Sequence, residues 1–435
     1  MKKKKIFYLF LSLLILSILA INCPRKSEKR RVKLTYLMWG RAEEISAVKG
    51  FIDEFEKRFP DIKVEVIHAQ EYYSKLQTMM SAGTPPDVMY MGSDYFPGYV
   101  IKGTLLDLTP FIKNDPDTNL PPFNIDDYFP EVVKPFIYKG RYYGIPKDFT
   151  TLALYYNKDI FDKMGIKYPK EGWTWKDFKE TAIKLTQDFN GDGLIDQFGF
   201  VLELWLGYWI SWIRQNGGKV YDEATGKYVI GKEPYLSRNA EAIKFLYDLM
   251  YKYHCVPTLQ ETRDMGTSQL FETGKVGMCT YGRWRTLELK HASFRWDVAP
   301  LPRGKKKASV LFTVCYSISS QSKHKKEAWK LVKFLVGEIG QKFTAQSGLA
   351  VPSLKSIAYS DYYLKPPGIP VVNAAIFRDQ IPFARVTPPH PDAPELNEII
   401  ERHMEEIFVK HKPIKKELKA IQKEIDELIH SKYEI

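Results

Sequence analysis

A chain of 435 residues with 44% hydrophobic and 27% charged side chains can bury a large core, and that length suits two lobes better than one. The formal charge is +12, but the lysines are scattered along helical stretches among Glu and Asp, the pattern of a solvated face, which argues against a nucleic-acid partner. Aromatic residues reach 14%, with 9 Trp and 27 Tyr, a high share that asks where those rings are used.

The first element reads as an export signal: Lys2 to Lys5 form a positive segment and Ile6 to Ile21 an apolar one, ahead of a processing site at Ala20-Ile21-Asn22-Cys23. An apolar run of about 16 residues is short for a spanning helix, and no later segment offers the roughly 20 that a bilayer needs, so a soluble mature protein is expected. Cys23 stands where the bacterial lipoprotein signal carries its acylated cysteine. Residues 1–22 are therefore read as a signal peptide and 23–31 as a lipidated amino terminus and tether. Asn22 departs from the Gly, Ala or Ser usual before that cysteine, which leaves simple secretion or an uncleaved anchor open. Each reading places the chain outside the cytoplasm, periplasmic or on the outer face of the cell membrane. Loss of the four leader lysines takes the charge from +12 to +8. The remaining cysteines, Cys255, Cys279 and Cys315, are odd in number with no CxxC spacing or clustered His, so no metal-site pattern is present; one disulfide or three buried thiols remain open.

From Val32 the pattern alternates. Strands are predicted over Val32–Met38, Ile62–His68 and Asp87–Met91, with amphipathic helices over Ser46–Phe59 and Tyr73–Ala82 between them. Strands alternating with helices argue for an α/β fold around a mostly parallel sheet. Tyr142–Lys147 and Leu152–Asn157 read as extended, with a crossing at Pro146. Thr174 three residues ahead of Asp177 is a capping box opening a helix with apolar Phe178, Ala182, Ile183 and Leu185. Further along come a helix over Ala240–Tyr253, a proline-rich turn over Pro300–Gly304, a strand over Val310–Ser317 and a helix over Lys325–Phe343. Two basic amphipathic helices, Leu396–Val409 and Ile414–Ile429, end the chain, and no internal repeat is visible.

Several stretches, in order, resemble one family: Met79-Met80-Ser81-Ala82-Gly83-Thr84-Pro85-Pro86-Asp87-Val88, Lys102-Gly103-Thr104-Leu105-Leu106-Asp107-Leu108, Gly144-Ile145-Pro146-Lys147-Asp148 and Tyr155-Tyr156-Asn157-Lys158-Asp159-Ile160-Phe161-Asp162. Trp173-Thr174-Trp175, Gly274-Lys275-Val276-Gly277-Met278, the Lys323–Phe334 helix and Gly348–Ser353 continue the match. Each alone has a local reading as a helix stop, turn or cap. Together they resemble the bacterial extracellular solute-binding proteins of sugar-uptake ABC transporters. The resemblance implies a two-lobed periplasmic-binding-protein fold of the class II type, with a ligand cleft between the lobes and closure about a hinge. It places crossings near Asp148, Pro302 and Ala350, one lobe being residues 32–148 with 303–350 and the other 149–302 with 351–435. It also implies a sugar as ligand, ABC permease subunits as partner, a monomer, no required cofactor and no enzymatic step.

A sugar offers hydroxyl groups and flat CH faces, so its site needs Asp, Glu, Asn and Arg beside Trp or Tyr. Ligands of such folds sit at the carboxyl ends of strands, which brings forward Trp39, Arg41 and Glu44 after the first strand, Ser93, Asp94 and Tyr95 after the third, and Asp148 at the first crossing. In the second lobe the candidates are Tyr208 and Trp209, and Trp284 and Arg285, whose turn faces the cleft in relatives. Arg285 or Arg41 is suited to a bidentate grip on a carboxylate or phosphate, which keeps an anionic sugar open. The run Asp188 to Asp196 places Asp188, Asn190, Asp192 and Asp196 as in a helix-loop-helix calcium loop with Gly193 at the sixth position, a structural calcium expected there only if Gly199 in place of the twelfth-position Glu is tolerated; otherwise the run is a turn. A secreted carbohydrate-active enzyme would need two opposed carboxylates, and Asp148 and Glu203 are the pair available. No nucleophile elbow, His-Glu-x-x-His or phosphate-binding glycine loop is present. A third reading is a sugar sensor that feeds no transporter.

Overall fold

A computed structural model of the chain describes residues 31–40, 42–115, 119–262, 265–370 and 372–433. The leader and Cys23 lie outside the described residues, as does Arg41.

Two sheets organise the molecule. Val32–Met38 (β1) pairs in parallel with Ile62–His68 (β2) on one side and Val88–Gly92 (β3) on the other, with helices Ala42–Arg58 and Tyr72–Ser81 as the crossovers. β3 is buried along its whole length, as a strand covered on both faces must be. Ile145–Thr151 (β4) joins this sheet, and Ala153–Asn157 (β5) leaves it for the second. The second sheet is completed by Phe198–Val201 (β6), Val276–Tyr281 (β7) and Trp296–Ala299 (β8), in the order β8-β5-β7-β6. The chain returns through Ser309–Ile318 (β9), antiparallel to both β3 and β4. Val351–Pro352 (β10) and Ala384–Arg385 (β11) close the first sheet against β4 and β9.

The crossing sits later than the sequence pattern suggests. Pro146 lies inside β4, and the break falls at Leu152, whose N–H donates to Ser309 Oγ at 3.2 Å and whose carbonyl accepts from Gln380 Nε2 at 2.6 Å. Strand pairing also passes the expected lobe limits, since Phe149–Thr151, β10 and β11 belong to the first sheet.

The helix expected over Lys325–Phe343 is two, Lys325–Val336 and Glu338–Ser347, because Gly337 takes an extended conformation between them. The capping box at Thr174 is formed: Asp177 N–H donates to Thr174 Oγ1 at 3.3 Å and Thr174 N–H to Asp177 Oδ2 at 2.9 Å, a cap typically contributing about 1 kcal/mol. The last two helices, Ala393–Phe408 and Ile414–Tyr433, pack through Leu396, Ile400, Met404 and Ile407 against Leu418, Ile421 and Ile425, the spacing of an amphipathic pair. Cys255, Cys279 and Cys315 are free, buried thiols. Among the described residues no helix is long and apolar enough to cross a membrane.

Candidate functional site

A cavity of about 320 Å³ lies where β4 and β9 run from one sheet toward the other. Trp39, Gly40 and Glu44 wall it after β1, Lys147 to Thr150 from β4, Phe312 and Val314 from β9, Trp284, Leu287 and Glu288 after β7, and Leu349 and Ala350 ahead of β10. A larger hollow of about 690 Å³ is reached by Leu311 on the opposite face of β9, but its Arg214 is already engaged with the carbonyls of Arg385 and Val386 at 2.8 and 2.6 Å.

The chemistry of the cavity comes from a bulge. Val314 is opposite Asp148 and Cys315 opposite Pro146, so Lys147 is the extra residue with no partner across the ladder. Pro146, which has no N–H to give, sits at this irregularity. The bulge allows two consecutive residues of one strand to reach the same cavity: Lys147 Nζ donates to Asp148 Oδ2 and also meets Glu44 Oε1 at 3.1 Å. Buried Gln341 holds the bulge, donating to the Lys147 carbonyl at 2.7 Å while its own oxygen accepts from Ser353 and Leu354 N–H at 2.6 and 3.2 Å.

Behind the pair stand Tyr36, Tyr90 and Tyr316, mutually within 5.4 to 6.1 Å, with Lys147 Nζ 4.9 Å from the Tyr90 ring. The Tyr90 hydroxyl donates to Glu44 Oε1 at 3.3 Å. Burial alone would pull the Lys147 ammonium down; Asp148 and Glu44 reverse that and hold it above the ordinary lysine range, so it stays charged. Burial pushes the Asp148 carboxyl up, Lys147 opposes, and Glu44 pushes the same way as burial. Gly40 makes the arrangement fit. It has φ of +151°, and a Cβ there would stand 2.7 Å from Glu44 Oε2.

Of the residues expected from sequence, Trp39, Glu44, Asp148 and Trp284 line this cavity together. Ser93, Asp94 and Tyr95 lie one layer back: Tyr95 stacks on Tyr73 at 3.4 Å, Tyr73 leans on Trp39 at 5.9 Å, and burial holds the Asp94 carboxyl above its usual range. Trp209 is core, its indole N–H donating to the Leu204 carbonyl at 3.0 Å, and Tyr208 packs between Trp205 and Tyr281. Arg285 is not among the cavity residues. Its buried guanidinium is held through Nη1 by Glu272 at 2.7 Å and by Glu288 and through Nη2 by the Ser268 carbonyl, over the face of Tyr281, while its Nε is buried without a hydrogen-bond partner among the described residues. Lys147, Phe312 and Glu288 escaped the sequence reading. Phe312 bridges Trp284 at 5.4 Å and half-exposed Trp205, stacked at 5.3 Å, into one aromatic row.

Glu203 lies outside the cavity wall, accepting from the Tyr281 hydroxyl at 2.7 Å and from Thr267, so it does not oppose Asp148 there. In the acidic run, Asp188 accepts from Gly191 and Gly193 N–H, Asn190 from Asp192, Asp192 from Leu194, and Asp196 from Phe189. The loop is built as a set of side-chain-to-backbone turns, and among the described residues no group of three or more His, Cys, Asp or Glu is gathered as for a metal.

Residues 40–342 match the sequence model of a family described as bacterial extracellular solute-binding protein. The chain is 25% identical over 372 residues to the galactooligosaccharide-binding protein of Bacillus subtilis, covering 83% of this chain and 81% of that one. Its structure is similar, with a TM-score of 0.81 and 26% identity, to an ABC substrate-binding protein of Listeria monocytogenes in complex with cycloalternan, over 92% of this chain and 99% of that one. The fold alone is shared with UgpB of Mycobacterium tuberculosis in complex with glycerophosphocholine, at 20% identity, TM-score 0.75, and coverage of 91% and 98%.

Proposed function

The chain belongs to the bacterial extracellular solute-binding proteins, and from that premise we propose that it captures a sugar outside the cytoplasm and delivers it to the permease of an ABC importer. One observation carries the sugar assignment: the cavity combines carboxylate acceptors, Glu44 and Asp148, with the rings of Trp39, Trp284 and Phe312. Carboxylates accept from sugar hydroxyls, and rings cover CH faces. The names of the relatives, which bind oligosaccharides, support the same class.

Capture is by closure. The open form holds the sugar on one lobe, contacts from the other favour the closed form, and the permease reads that form. Asp148 is paired with Lys147 and Glu203 is occupied elsewhere, so the reading needs no acid, base or covalent step. The protein acts as a monomer, held to the membrane through Cys23.

Thermal unfolding of the purified protein against neutral mono- and oligosaccharides, sugar acids, glycerol phosphates and peptides tests this, because a ligand of the folded state raises Tm. A shift with one sugar class and no turnover on long incubation is the expected result. Turnover, or a response to peptide alone, overturns it.

A further inference from the structure

The ladder between β4 and β10 stops one rung short beside the cavity, and what fills that rung bears on how the ligand is held, given the sugar-binding reading above. Val351 is opposite Phe149 and Pro352 opposite Asp148, so the next rung would set Ser353 against Lys147. The side-chain amide of Gln341, wholly buried on the helix Glu338–Ser347, takes that rung instead. Its Nε2 donates to the Lys147 carbonyl at 2.7 Å, and its Oε1 accepts from Ser353 N–H at 2.6 Å and from Leu354 N–H at 3.2 Å.

An amide carries a donor and an acceptor on one planar group, as a peptide does, so Gln341 is inserted in the ladder as a surrogate peptide unit. Its width holds the chains apart where a direct N–H to carbonyl bond would draw them to about 4.8 Å. Pro146 and Pro352 have no N–H, so neither can take over the donation to Lys147. Both separated chains wall the cavity: Lys147 and Asp148 from β4, and Leu349 and Ala350 on the approach to β10.

We propose that Gln341, which is not among the cavity residues, is a positioning residue for the ligand: its amide sets the spacing of the two chains, through that spacing the bulge, and through the bulge the placement of Lys147 and Asp148 in the site. Without the inserted amide the chains close, Lys147 returns to the regular alternation of a strand, and its ammonium leaves Asp148.

The test is titration calorimetry of the full protein with glucose, galactose and the linear trisaccharides of each. Gln341→Met removes the amide at similar length. Gln341→Glu keeps the acceptor for Ser353 and Leu354 and loses the donor to Lys147, except where the introduced carboxyl is protonated, which its burial favours. Val332→Ala, fully buried on the preceding helix Lys325–Val336, is the control for a purely structural loss. The parent is expected to bind at least one of these sugars, and Gln341→Met to bind it at least about tenfold more weakly. Gln341→Glu shows a similar gap to the parent at about pH 8, narrowing by at least about threefold at about pH 5.5 as the carboxyl gains a hydrogen to donate. Val332→Ala lowers Tm and keeps the parent affinity. A Gln341→Met protein that binds within about threefold of the parent overturns the proposal, as does a Val332→Ala loss of the same size or a Gln341→Glu gap that does not narrow. If the parent binds none of the sugars, the sugar reading is what fails, and a crystal structure decides the positioning role by itself: Gln341→Met with Lys147 Nζ off Asp148 supports it, and the same variant with the bulge and that contact intact overturns it.

Discussion

Replacing Lys147 by methionine is the most searching perturbation of the site. The substitution keeps the length of the side chain and removes its charge, leaving Glu44 and Asp148 facing each other with side-chain exposures of only 12% and 8%. At 3.1 Å the attraction to Glu44 is about 5 kcal/mol for an effective dielectric near 20. Desolvation of the ammonium offsets part of that and of the Asp148 contact. Breaking a buried pair while leaving a partner charged costs about 3–5 kcal/mol. We expect Lys147→Met to lose about 4 kcal/mol in urea unfolding, a large share of the roughly 5–15 kcal/mol that a native protein has. The triple variant Lys147→Met with Glu44→Gln and Asp148→Asn removes all three charges and should recover to within about 1 kcal/mol of the parent, while losing affinity for the neutral sugar. A single variant that unfolds within about 1 kcal/mol of the parent, or a triple variant no more stable than the single, refutes the idea that Lys147 exists to hold the two carboxylates together.

Three further outcomes follow from the same geometry. Gly40→Ala forces a Cβ to within 2.7 Å of Glu44 Oε2 on a backbone at φ +151°, so calorimetry should read a loss of sugar affinity of about tenfold or more, with a stability loss of about 1–3 kcal/mol. Sugar affinity should fall as pH drops from neutral toward the ordinary carboxylate range near 4, because the Asp148 carboxyl titrates above that range and its protonation withdraws an acceptor; Asp148→Asn should flatten that part of the profile. The sign for stability is opposite: with its folded pKa raised, Asp148 favours the folded state more as pH falls, so unfolding through this group does not explain lost binding. Millimolar calcium should leave Tm unchanged, since the Asp188, Asn190, Asp192 and Asp196 side chains are engaged by backbone N–H groups; a rise of several degrees would instead support a structural calcium in this loop.

Most of the fold is legible in the chain because the elements that build it are locally encoded. Val32–Met38 and Ile62–His68 are recognisable from apolar content and bounding turns, and Thr174 and Asp177 announce a helix start through contacts three residues apart. What local pattern does not carry is where a strand changes sheets. Pro146 reads as a break because proline removes a ladder N–H, yet here its neighbour bulges and the strand runs on to Thr151. The long helix after Lys325 hid its break for the converse reason, since a single glycine within apolar periodicity is compatible with either one helix or two.

The site was legible in its rings and carboxylates and illegible in its cation, and the reason is the same bulge. In a regular strand, consecutive side chains point to opposite faces, so a Lys next to an Asp suggests one in the cavity and one behind it. The slipped register at Val314 and Cys315 brings both to one side, and nothing local in Lys147-Asp148 encodes that slip. It depends on Gln341, nearly two hundred residues away in the chain, satisfying the carbonyl that the bulge leaves without a ladder partner. The surroundings of Arg285 are hidden from the sequence for a related reason. Arginine beside tryptophan in a turn is the pattern of an anion grip, but whether the guanidinium is free is decided by Glu272 and Glu288, one of them thirteen residues away. In both cases residue type shows what a group can do, and only the partners assembled by the fold determine what capacity remains: the Lys147 ammonium is taken up by Asp148 and Glu44, and the Arg285 Nη atoms by Glu272, Glu288 and the Ser268 carbonyl.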